Sequence, residues 1–289
     1  MTRPRVQVVT SSSTCLDPAS AAGAGITIVP LHLVIDGKDH RDLYEVRTAD
    51  VYRSLLDGAA ITTSSASVGE FVEAYRQARG PILCLTEADA PSTMYRAAVM
   101  AAELAEHMQV VVLPTGTAAG GLRLLALAAA RMAAAGAELD AITSRIELLD
   151  RRVEIFGVLD SLDFLVRGGR VPQVASWASS VLKVRPVIRL VGGKGSLVTV
   201  VRSTSAAFRA LERLALAYAR RHGAGPDGEC IVGNVFHAQA TVRAEELLAS
   251  LRRRLRAADL DLCEFTPAMG AHIGPGVVGQ ALGLAPAEP

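Results

Sequence analysis

Aromatic residues are scarce, 4% of 289 positions, although half of the chain is hydrophobic. A sizeable core is therefore expected, built from Ala, Val, Leu and Ile rather than from rings. Lysine is scarcer still: Lys38, Lys183 and Lys194 are the only ones among 30 basic residues, so arginine carries the positive charge. Against 29 acidic residues this leaves a formal charge of +1. No global field draws the chain to nucleic acid or to an anionic membrane. The four cysteines, Cys15, Cys84, Cys230 and Cys263, are far apart and form no CxxC. That argues against zinc and thioredoxin chemistry, and nothing suggests a disulfide framework. The six histidines show no HxxxH or HExxH spacing, and no GxSxG elbow marks an esterase. The apolar stretch from Leu122 to Ala137 is interrupted by Arg123 and Arg131, so it reads as a packed helix and not a membrane span. Met1 leads straight to a short apolar strand without the apolar segment of a signal peptide. The expectation is a soluble cytoplasmic protein with no integral membrane association.

At roughly 150 residues per domain, the length suggests one large or two ordinary domains. The first half alternates strands with helices. Val6–Val9 is a short strand followed by the polar loop Thr10–Cys15. Asp17 before Pro18 is a cap and a first-turn proline, opening a helix to about Gly23. Ile26–Val29 is the next strand, and Leu31–Ile35 runs into the tight-turn pair Asp36-Gly37. Thr48 is read as the cap of a helix to about Leu56. Ser67 to Glu70 is a capping box opening an amphipathic helix with Phe71, Val72 and Tyr75. Strands at Ile82–Leu85 and Gln109–Leu113 alternate with helices beginning at Ser92 and after Thr115. This alternation predicts βαβ units and a parallel sheet.

After about Asp150 the texture changes. Val153–Val158 and Pro186–Leu190 read as strands, and Gly192–Ser196 turns into Leu197–Val201, an antiparallel hairpin. Helices over about Ser205–Arg221 and Ala238–Arg256 accompany strands at Ile231–Phe236 and Leu260–Phe265. The predicted class is α/β with two domains: an N-terminal parallel-sheet βαβ domain over 1–152 and a C-terminal α/β domain with antiparallel strands over 153–289.

Two features could carry chemistry. Gly274–Gly279 matches GxGxxG, but only ten residues follow, so no βαβ unit can complete a dinucleotide fold. Hydroxyl clusters, Thr62–Ser65 before the Ser67 box and Ser92-Thr93 after a strand, lie where helices should begin. Such residues are usually plain N-caps. They also suit an anion site, because free N–H groups and hydroxyls can hold a carboxylate or phosphate without Lys or Arg. His272, flanked by glycines, is either structural or a ligand contact.

Several stretches, in order and spacing, resemble the DegV family of bacterial fatty-acid-binding proteins over nearly the whole length. They are ValValThrSerSerSer at 8–13, Pro30-Leu31, ThrSerSerAlaSer at 63–67 and AlaProSerThrMetTyrArgAlaAla at 90–98. LeuValArgGlyGlyArgVal at 165–171, LeuLysValArgProVal at 182–187, ValArg at 201–202 and AlaHisIleGlyProGlyValValGly at 271–279 follow. The resemblance implies two α/β domains holding one long-chain fatty acid, whose carboxylate a partner fatty acid kinase phosphorylates. It implies that Thr63 and Ser92 hold the carboxylate, with Ser64 as helper and His272 nearby. It implies that Arg170 and Arg202 face the kinase. No catalytic residue, metal or cofactor beyond the bound fatty acid is expected of this chain. The sequence departs from the family pattern at Ser11, Ser65-Ala66, Thr93-Met94 and Pro114-Thr115.

Two other readings stand beside this one. An acyl hydrolase would use Ser92 as nucleophile, His272 as base and an acid such as Asp160. A sugar-phosphate or dihydroxyacetone-type kinase component would need clustered acids for magnesium, which the loops near Ser11, Thr63 and Ser92 lack in sequence.

Overall fold

The computed structural model describes residues 5–87, 93–160, 164, 184–223, 230–255 and 257–285, with residue 258 described by its backbone alone. Strand β1 (Gln7–Ser11) runs into a 3-10 turn at Ser12–Thr14. Helix α1 (Pro18–Gly23) starts on the Asp17 cap, whose carboxylate accepts the N–H groups of Ala19 and Ser20. Strand β2 (Ile26–Val29) then pairs parallel with β1. Strands β3 (His32–Ile35) and β4 (Lys38–Arg41) form a hairpin, its Asp36 and Gly37 both at positive φ, 48° and 81°. Two left-handed residues are what a type I′ turn requires.

Helix α2 (Thr48–Leu56) differs from expectation at its start. Thr48 is its first helical residue, and Arg47 in the cap position makes no side-chain cap bond. Strand β5 (Ile61–Ser64) also differs. The hydroxyl cluster expected to open a helix extends instead as the third strand beside β3, and Ser67 alone caps α3 (Val68–Arg76) with the full capping box. Strand β6 (Ile82–Glu87), helix α4 (Thr93–Leu104) and strand β7 (Val110–Thr115) follow. The first sheet is parallel, in the order β2-β1-β6-β7.

Helix α5 (Ala119–Ala134) and helix α6 (Leu139–Asp150), the latter not read from sequence, lead into the second sheet. Its strands are β8 (Glu154–Val158), β9 (Arg185–Val191) and β10 (Lys194–Val201). Helix α7 (Thr204–His222), strand β11 (Cys230–His237) and helix α8 (Thr241–Arg254) come next. Strand β12 (Ala257–Glu264), helix α9 (Pro267–Ile273) and strand β13 (Val278–Ala285) close the fold. The six strands run in the order β10-β9-β8-β13-β11-β12, mostly antiparallel, with β11 and β12 parallel.

A single apolar cluster joins the two sheets. It passes from Val8, Leu83 and Leu85 through Leu122, Leu125 and Ala129 of α5 to Val278 and Leu282 of β13. Alanine and leucine fill this layer, as the scarcity of rings requires. Gly120 lets α5 approach β11, since a Cβ there would lie 2.5 Å from Asn234 Oδ1. Gly279, the last glycine of the GxGxxG match, has the same role. A Cβ at this position would sit 2.5 Å from the Phe156 carbonyl oxygen and collide with the Phe236 ring. That run leads into a buried strand rather than a phosphate loop. Among the described residues no helix is long and apolar enough to cross a membrane.

Candidate functional site

The order of the first sheet locates a crevice. From β1 the chain moves to one side for β2 and returns to the other for β6 and β7, so the direction reverses between β1 and β6. Ligands of open α/β sheets bind beyond the strand carboxyl ends at such a reversal. The residues at that point are the Ser11–Thr14 turn and Glu87, the last residue of β6. Ser11 and Ser13 hydroxyls donate to the same Glu87 oxygen at 2.8 and 2.9 Å. Ser12 points elsewhere, donating to Asp42 at 2.7 Å while accepting the Leu31 N–H at 3.0 Å.

Asp42 then reaches helix α9. Its other oxygen accepts the Ala268 N–H at 3.1 Å, in the first turn of that helix. The carboxylate is fully buried, and burial raises its pKa even though Ser12, Ala268 and Thr266 donate to it. Four residues beyond Ala268, on the same face of α9, His272 brings Nε2 to 2.5 Å from Thr63 Oγ1. Thr63 is half-buried on the inward side of β5, while Ser64 points to the opposite, exposed side, as strand alternation dictates. Ser65 Oγ lies 2.5 Å from Thr93 Oγ1, so the end of β5 meets the start of α4.

The expected site residues are therefore distributed unevenly. Thr63 and His272 are brought together, and Ser64 is exposed beside them on the outer face. Ser92 and Arg170 lie outside the described residues, although Thr93, which follows Ser92 in the chain, is at the corner. Arg202 is exposed just beyond β10, an edge strand of the second sheet. Sequence reasoning missed Asp42 and Glu87, and the expectation of a corner without acids is corrected. Folding carries Glu87 onto Ser11 and Ser13, and Asp42 onto Ser12. An acid closing a strand at a sheet reversal was a readable signal for Glu87, whereas Asp42 had none. Both carboxylates are occupied by donors, and no group of three metal-ligating side chains exists among the described residues. Asp160, the acid a hydrolase would need beside His272, is paired instead with Arg185 at 2.9 Å and Arg243 at 3.5 Å.

A cleft of about 350 Å³ lies between α1, β2 and α3, floored by Ala21, Ile28 and Val29 with Arg41 and Glu70 at its rim. A smaller void of about 10 Å³ lies beside Val158, Phe208 and Val278. Neither is lined by Thr63 or His272.

The family described as "Uncharacterised protein, DegV family" matches residues 5–283. The chain belongs to the DegV family. A DegV domain-containing protein of Streptomyces coelicolor is 34% identical over 280 residues, covering 95% of this chain and 96% of that one. The solved DegV family protein of Thermus thermophilus, described as fatty acid binding, superposes with a TM-score of 0.87 at 24% identity. That superposition covers 96% of this chain and 99% of the other. A stearic acid-binding protein of Eubacterium ventriosum superposes with a TM-score of 0.87 at 23% identity, covering 96% and 98%. At these identities the two structures establish the fold.

Proposed function

We propose that this DegV chain binds a long-chain fatty acid and presents its carboxylate to a fatty acid kinase. In this reading the chain is a cytoplasmic, non-catalytic subunit with domains 1–152 and 153–289. Thr63 and Ser92 hold the carboxylate, Ser64 assists, and His272 adjoins it. The observation that carries the reading is the 2.5 Å contact between Thr63 and His272, which unites residues 209 positions apart at a corner of hydroxyls. The fatty-acid-binding descriptions of the Thermus and Eubacterium relatives support the same class of ligand.

The physical chemistry suits that ligand. At about 0.8 kcal/mol per buried methylene, a chain of about fifteen contributes on the order of 12 kcal/mol gross. Tail ordering and lost translation offset much of it. The hydrocarbon thus supplies affinity while the polar corner sets orientation. The groups meeting at this corner are hydroxyls, backbone amides, one imidazole and two already satisfied carboxylates. Uncharged donors orient a carboxylate without the nucleophilicity loss that a buried ion pair would impose. An oxygen of the acid could then attack a phosphoryl group supplied, with nucleotide and metal, by the partner. Arg170 and Arg202 belong to the surface that meets the partner.

Native mass spectrometry of the protein purified from bacterial cells tests this directly. The expected result is one retained long-chain fatty acid. Retention should fall about a hundredfold or more in the Thr63→Ala/Ser92→Ala double variant, since each lost donor to a charged group costs about 1.5–3 kcal/mol. A protein with no affinity for added fatty acid overturns the reading. Arg170→Ala and Arg202→Ala should retain lipid and slow its phosphorylation by a fatty acid kinase. If lipid is lost instead, those arginines belong to the pocket or the fold. Turnover of a nitrophenyl acyl ester, abolished by Ser92→Ala, would replace the carrier with a hydrolase.

A further inference from the structure

Cys15 and Cys263 come from opposite ends of the chain and lie in one buried cluster with Tyr52 and Phe265. Cys15 follows the Ser12–Thr14 turn in a left-handed conformation, φ 55°, with its sulfur 3.5 Å from the Ser13 carbonyl oxygen. Cys263 sits in β12 and its thiol donates to Asn234 Oδ1 at 3.3 Å. Arg123 of α5 bridges the two segments. It donates to the Cys15 carbonyl at 3.1 Å and holds Asp261, two residues before Cys263, at 2.6 Å. Exposure separates this pair from the other cysteines. Cys84 is 0% exposed, Cys230 lies on the surface, and Cys15 and Cys263 retain 5% and 8%.

We propose that Cys15 and Cys263 are a peroxide-oxidisable pair that closes to a disulfide between the Ser11–Thr14 turn and the second sheet. In the first step the Cys263 sulfur attacks hydrogen peroxide. An S–O bond forms, the O–O bond breaks, and one water leaves, giving a sulfenic acid. In the second step the Cys15 sulfur attacks that sulfur, the S–O bond breaks, and a second water leaves. Two thiols and one peroxide thus yield one disulfide and two waters. Both sulfurs are oxidised and both peroxide oxygens reduced. The roles follow from the surroundings. Burial pushes the Cys15 thiol well above its ordinary pKa, whereas donation from Cys15 and the Arg123 charge hold Cys263 below its own. The more ionised sulfur is the one that meets peroxide. A disulfide requires an S–S distance of about 2.05 Å and closely apposed Cβ atoms.

The test treats the full chain carrying Cys230→Ala with hydrogen peroxide, then denatures it in an alkylating agent. The expected product is lighter by about 2 Da before alkylation and contains two fewer alkylatable thiols. Proteolysis should give a Cys15–Cys263 linked peptide that dithiothreitol separates. The oxidised protein should melt about 5 °C or more above the reduced one, and the rise should vanish in Cys15→Ser and Cys263→Ser. Peptide mapping of the Cys230→Ala protein keeps the test decisive even if the serine variants misfold. Three thiols still alkylatable after peroxide, a linkage through Cys84, or a Cys263 sulfinic acid without a bridge would each overturn the proposal.

Discussion

Asp42 and Glu154 are both buried carboxylates, 0% and 5% exposed, and they are held in opposite ways. Asp42, at the hydroxyl corner, has only neutral donors: the Ser12 and Thr266 hydroxyls and the N–H groups of Ala268 and Leu43. Glu154, at the start of β8, has two cations, Arg189 at 3.0 Å and Arg221 at 2.9 Å, with the His222 ring at 3.9 Å. Dipoles aimed at a carboxylate act only over a short range and within a fixed geometry. Charges act over a distance that salt can shorten. The corner assigned to the acyl carboxylate already holds a carboxylate of its own by uncharged groups alone. Even so, burial outweighs those donors and raises the Asp42 pKa. The strand-end ion cluster is a different device, in which long arginines cover one acid while their heads stay wet.

Removing each acid measures that contrast, and Asp42→Ala should have the larger effect. It leaves the Ser12 hydroxyl and the Ala268 N–H buried without an acceptor, which costs about 3 kcal/mol or more. Urea unfolding gives the number, and a loss under about 1 kcal/mol would break the comparison. The loss should be the same at low and high salt. Glu154→Gln should cost less, about 1–2 kcal/mol, because Arg189 and Arg221 are a third and a half exposed and can turn to water. Its penalty should shrink in about 1 M salt, where the Debye length is about 3 Å.

His32 lies between these two extremes and gives the smallest effect. Its ring reaches Asp39 at 2.7 Å and Glu70 at 3.1 Å. Burial alone would lower its pKa, but hydrogen bonds to the two carboxylates outweigh this and hold it above the ordinary value. The folded protein thus binds the proton more tightly than the unfolded chain. The resulting stability is complete below the ordinary histidine range and is lost as pH rises through the folded-state pKa. Thermal melts across that range should show the decline in the parent protein. His32→Gln should flatten it, by less than about 1 kcal/mol.

What could be read in advance was local. The Asp17 cap, the Asp36-Gly37 turn and the Ser67–Glu70 box each depend on residues within one turn of chain, and all three form. Strand β4 was invisible because Lys38–Arg41 is entirely polar and pairs only at the edge of a small sheet. By sequence Thr62–Ser65 reads as a helix entrance, because hydroxyls favour caps. Thr63 becomes a strand residue through pairing with Leu33, a contact that no short window contains. Thr63 and His272, which the resemblance named together, meet in the fold. The Asp42 bridge escaped because Ser12, Asp42 and Ala268 come from three remote segments, joined only in the folded chain.

Helix α9, almost the last element to be made, packs against α2 and β5 and provides the imidazole that Thr63 meets. At about 5–20 residues per second of translation, the 209 positions between these partners correspond to about 10–40 s on the ribosome. For that interval Thr63 is on the nascent chain without its imidazole partner. A product truncated before Ala268 would carry every loop hydroxyl of the first half and still have no assembled corner.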